Sequence, residues 1–158
     1  MVAFEPVAKL LLFLHFAAAV VMCGAVAHLA VRLWKYSRGG RASLSHIRLH
    51  TGILAVSYIV CFVLGAVTYP TFRVRVRHEY FDQAVRWATG LFEVKEHLAT
   101  IGLAAVLGLL LLAWSLPKGS EQEARRVLPF FGGLVVILLA IIGYNVWSGW
   151  FLTTLKGV

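Results

Sequence analysis

Charge is scarce in this chain: only 14% of its 158 residues are Asp, Glu, Lys or Arg, where a soluble domain carries about a quarter. The shortage is concentrated. Residues 51–69, 98–116 and 128–152 hold no charge at all, and 10–33 holds only Arg32. That pattern excludes an ordinary water-soluble domain. Cysteine is nearly absent as well. Cys23 and Cys61 form no CxxC pair, which excludes a disulfide framework or a thiolate metal site. They read as small apolar packing residues at similar depth. No long polar stretch exists either. The longest piece between apolar runs is about 27 residues, too short for a separate folded domain.

What is present is four apolar runs of about the length that crosses a bilayer. A hydrocarbon core of about 30 Å takes about 20 helical residues. The expected fold is all-α, an integral membrane four-helix transmembrane bundle in one domain, residues 1–158. The spans are placed at 7–34, 47–69, 92–116 and 129–152. The first run exceeds a signal-peptide core and follows no basic cluster, so it is expected to be retained. Pro70 and Pro117 are expected to end the second and third spans, and Pro129 to open the fourth.

The net charge of +8 would suggest nucleic acid in a soluble protein. Here the basic residues sit at span ends, where they anchor to anionic headgroups and set topology, so no nucleic acid partner is expected. The first connector carries Lys35, Arg38, Arg41 and Arg48 without an acid, and turns at Gly39 and Gly40. The positive-inside rule places it in the cytoplasm and the N-terminus outside. The second connector, 71–91, is expected to be amphipathic. Arg73, Arg75 and Arg77 alternate with Val74 and Val76 as in extended chain. Tyr80 to Phe92 reads as an interfacial helix turning Phe81, Val85 and Leu91 to lipid or protein. Glu93 and Glu96 flank Lys95 and read as local helix salt bridging.

Histidine carries the chemistry. His15, His28, His50 and His97 lie in or at the spans, and a polar group in hydrocarbon is costly unless partnered. Depth sorts them into two pairs. His15 and His97 lie toward the outer face on spans one and three. His28 and His50 lie toward the inner face on spans one and two. Two imidazoles from different helices at one depth can bracket a b-type haem. The 13 residues from His15 to His28 rise about 20 Å, a suitable spacing for two haems, yet leave the two about 140° apart around the helix. Arg48 and Arg32 inside, and Arg73, Arg75 and Arg77 outside, could pair with haem propionates. His46 and His50 share a helix face, but no third metal ligand is evident.

Leu14-His15-Phe16 and Leu49-His50-Thr51-Gly52-Ile53 resemble the openings of helices in four-helix bacterial membrane cytochromes b. The first helix is also similar to that of copper-resistance D-type membrane proteins. The cytochrome resemblance covers about half the chain. It implies two b haems, quinone-linked electron transfer and a bacterial inner membrane, with His15, His28, His50 and His97 as ligands. A fourth span without histidine departs from that pattern. The expected function is electron transfer through one or two bis-histidine haems, to or from quinone or a partner redox subunit. The rival expectation is a haem-free accessory subunit of a larger membrane complex.

Overall fold

The computed structural model describes residues 5–39, 44–115 and 121–156. A short 3-10 turn, Glu5–Val7, leads into α1 (Ala8–Ser37). Then come α2 (Leu44–Phe72), a π-helical continuation (Arg73–Phe81), the single turn α3 (Asp82–Ala84), α4 (Arg86–Ser115) and α5 (Glu121–Leu155). Four helices are long and apolar enough to cross a membrane, and no strand occurs among the described residues. The protein is a multi-pass helical membrane protein.

The four long helices form a closed ring in the order α1, α2, α4, α5, each packing on its two neighbours. Every helix supplies fully buried side chains to the centre, among them Leu29, Leu54, Val106, Leu109 and Leu138. The outside is just as apolar: Phe13, Phe16, Val56, Leu111, Phe130 and Val136 are all exposed. A soluble bundle would present charge at such positions. Here the bilayer is the solvent, and the surface matches it.

α1 ends in a turn closed by Gly39, whose φ of 84° suits a residue without a side chain. Gly40, Arg41 and Pro117 lie outside the described residues. Pro70 does not end its helix as expected. α2 runs through it and continues to Ala84, a 41-residue stretch of about 60 Å, twice the hydrocarbon thickness. The segment from Arg73 therefore projects past the membrane core. Arg73 to Arg77, expected to be extended, is π-helical. The chain breaks only at Val85, with φ −144° and ψ 60°. α4 therefore starts at Arg86, ahead of the expected span. Pro129 likewise sits inside α5 rather than at its start.

The π-helical segment packs against the start of α4 and the end of α5 as a cap. Val76 and Phe81 are buried with Ala88 and Leu152, and Val85 and Leu91 join them. The three residues expected on the apolar side thus face protein. Arg77 bridges the cap to α4 through Glu93 at 2.7 Å.

Candidate functional site

The antiparallel packing of α1 on α2 fixes which histidines meet. His28 and His50 come together, with ring centres 5.6 Å apart and planes tilted by 43°. The depth expected from the sequence is realised for this pair. His50 Nδ1 lies 2.8 Å from the carbonyl oxygen of His46. A carbonyl only accepts, so Nδ1 carries the proton and Nε2 of the neutral ring keeps its lone pair. This is how metal-binding histidines are commonly oriented. His50 is half-buried and His28 exposed, on the outward seam between α1 and α2. Leu29, next to His28, and Leu54, one turn from His50, are fully buried in the core. Gly24, one turn before His28, faces open space, and Arg32, one turn after it, is half-buried.

These residues can be tested against a bis-imidazole haem. Two metal–nitrogen bonds of about 2 Å, set end to end, hold the ring centres about 6 Å apart. The observed 5.6 Å is close to that. His28 is exposed and Gly24, one turn away, faces open space, so a flat macrocycle would have to approach from the outward side. In ring spacing, His28 and His50 match what one bis-imidazole haem would require.

His15 and His97 are not brought together. His97 is exposed, its Nδ1 2.7 Å from the carbonyl of Glu93. Lys95, two residues away and about 200° round the helix, faces the interior instead. There it lies close enough to His15 and Cys61 to act on both electrostatically. His15 reaches across to α2: its Nδ1 donates to the carbonyl of Cys61 at 2.9 Å, and the Cys61 Sγ is 3.6 Å away. The ring lies over Gly65, where a Cβ would meet Cε1 at 3.3 Å. The physical reason is azimuth. Residues at one depth can point in opposite directions, and the α4 face toward the bundle belongs to Lys95.

The arginines also part company with expectation. Arg48 Nε donates to the carbonyl of Ala113 at 3.0 Å, capping the C-terminus of α4 with a positive charge. It faces away from His50, about 200° round α2. Arg73, expected on the outer side with His15 and His97, lies 23 residues beyond His50, about 34 Å along the helix, and does not serve the inner pair. Among the described residues Arg32, one turn from His28, is the candidate cation beside it.

Lys95 is the residue that sequence reasoning missed. Its side chain packs over Gly149 of α5, and its ammonium lies 5.5 Å from the centre of the Phe92 ring. It is half-buried. Glu93, expected to pair with it locally, pairs with Arg77 instead. A sequence signal existed. Ala88, Lys95, Gly102 and Leu109 recur every seven residues, and the other three are buried, so that spacing marks the inward stripe of α4. No cluster of three or more potential metal ligands occurs among the described residues. The two free cysteines stay unpaired, with Cys61 buried and Cys23 half-buried. Comparisons with protein-family models, characterised proteins and solved structures gave no significant match.

Proposed function

We propose that this chain is a membrane b-type cytochrome that carries electrons through one haem held by His28 and His50. One observation carries the reading: two imidazoles from neighbouring helices stand 5.6 Å apart, one of them with its Nδ1 tied to a carbonyl. A bound haem would supply one-electron transfer at a potential set by its ligands and burial. The chain's own part is to fix the rings. His46 O orients His50, Arg32 offers a charge for a propionate, and Leu29 and Leu54 keep water from the inner side. An outward-facing site suits electron exchange with quinone or a partner redox subunit in the lipid plane. The short acid-free basic turn supports a cytoplasmic position for that end of the bundle, in a bacterial inner membrane.

The test is a dithionite-reduced minus oxidised spectrum of the detergent-purified protein, with a haem-per-chain assay. One b-type haem per chain is expected. His28→Ala and His50→Ala should each remove it, while His15→Ala and His97→Ala should leave it. Two haems per chain would restore His15 or His97 as a ligand. A colourless, folded protein, or haem surviving His28→Ala, would overturn the reading. The colourless result would favour the haem-free accessory subunit.

A further inference from the structure

A cavity of about 490 Å³ lies beside the π-helical segment, lined by Tyr69, Arg73, Val74, Arg77, His78 and Asp82. π-Helical geometry is rare and is often found at functional sites. Here it stacks side chains four and five residues apart along one wall. We infer that this cavity binds the phosphate of an anionic membrane lipid, with Arg73 as the principal contact.

Charge accounting singles out Arg73. Asp82 Oδ1 accepts the Thr89 hydroxyl at 2.7 Å and lies 3.9 Å from Arg77 Nε. Arg77 in turn donates to Glu93 at 2.7 Å. The carboxylates near the cavity and Arg77 thus satisfy one another. The exposed Arg73 guanidinium has no hydrogen bond or ion pair among the described residues. Its neighbour Arg75 pairs with Glu79 at 3.1 Å. A free guanidinium presents two parallel N–H groups that match two phosphate oxygens.

Position selects the ligand. Tyr69 closes the charge-free run 51–69 and stacks on Phe92, with ring centres 6.1 Å apart, as an aromatic at the edge of the hydrocarbon does. Arg73 sits one turn further on, about 6 Å beyond that edge, the distance at which a headgroup phosphate would lie. Val74, 38% exposed, adds an apolar wall that suits a glycerol stem better than a free anion. This site lies about 34 Å from His50 along α2, so it stands or falls apart from the haem.

Native mass spectrometry of the full chain in detergent tests it, with phosphatidylglycerol and phosphatidylcholine titrated separately. Wild type should prefer phosphatidylglycerol, and Arg73→Gln should weaken that binding about fivefold or more. Arg75→Gln removes the same charge outside the cavity and should change it less than about twofold. Arg73→Lys keeps the charge but loses the fork, and should fall between wild type and Arg73→Gln. Equal binding of the two lipids, or equal loss in Arg73→Gln and Arg75→Gln, would overturn the inference. Inorganic phosphate is titrated as well. Displacement of phosphatidylglycerol by phosphate at matching concentration would assign the site to a soluble anion and overturn the lipid source.

Discussion

Replacing Gly102 with alanine should be among the most damaging small changes in the bundle. The Tyr58 side chain crosses from α2 to α4 and lies directly over Gly102, its hydroxyl donating to the carbonyl of Ala99 at 2.8 Å. A Cβ at position 102 would collide with the Tyr58 hydroxyl oxygen, and would also sit 2.9 Å from Cζ and 3.0 Å from a methyl of Ile141. Tyr58 must swing away. Overpacking of this kind costs about 1–3 kcal/mol, and the lost interhelical hydrogen bond adds about 0.6–1.7 kcal/mol. The gain in helix propensity from glycine to alanine offsets about 1 kcal/mol. The net expectation is a loss of roughly 1–3 kcal/mol. Gly108 is the control on the same helix, because nothing lies within 4 Å of a Cβ placed there. Gly108→Ala should be neutral, or stabilising by up to about 1 kcal/mol. Reversible unfolding in mixed detergent micelles, followed by circular dichroism, measures both. Tyr58→Leu should remove most of the penalty of Gly102→Ala, leaving a coupling of about 1–3 kcal/mol in the double-mutant cycle. If Gly102→Ala unfolds within about 0.5 kcal/mol of Gly108→Ala, Tyr58 does not seat against α4 and the α2–α4 packing described above is incorrect.

Lys95→Met should fold as well as wild type or be stabilised by up to about 2 kcal/mol, since a half-buried charge that makes no ion pair among the described residues is readily replaced by an apolar side chain. In the native protein, amine-reactive labelling read by peptide mass mapping should modify Lys95 far more slowly than the exposed Lys156; equal rates would place Lys95 outside the bundle. Arg48→Ala should cost about 1–2 kcal/mol in the same unfolding assay, through the lost charge and hydrogen bond at the C-terminus of α4. Wild-type stability in that variant would remove Arg48 as the cap.

Depth in the membrane was legible from the sequence, and azimuth was not. The charge-free runs located the four spans, and simple residue counting brought His28 level with His50, where the structure indeed pairs them. The same counting levelled His15 with His97, but the two point in different directions and do not meet. In a soluble helix, the boundary between polar and apolar faces tells which way a side chain points. Lipid is as apolar as the core, so these helices are hydrophobic all round. Phe13, on α1, is 66% exposed while Leu29 is fully buried, and nothing in either residue's chemistry distinguishes them.

The residues that do break this symmetry are those that resist a lipid-facing position or shape a neighbour. Lys95, uncomfortable in hydrocarbon, turns inward at the seven-residue spacing of Ala88, Gly102 and Leu109. Gly65 and Gly102 leave room for His15 and Tyr58 from the adjoining helix. Glycine alone is not diagnostic, because Gly24, Gly108 and Gly143 face open space. What discriminates is a glycine on the same stripe as buried residues. The π-helical cap was hidden for a different reason: alternating Arg and Val suggests period two, whereas the wider helical turn buries Val76 completely and leaves Val74 exposed. Only the packing against α4 and α5 decides between those readings, and the contact with α5 joins segments about 75 residues apart. Axial order in such a chain is a local property of composition. Facing is a property of the assembled ring, so the histidine pair confined to one adjacent antiparallel hairpin, His28 with His50, was the one that residue counting could reach.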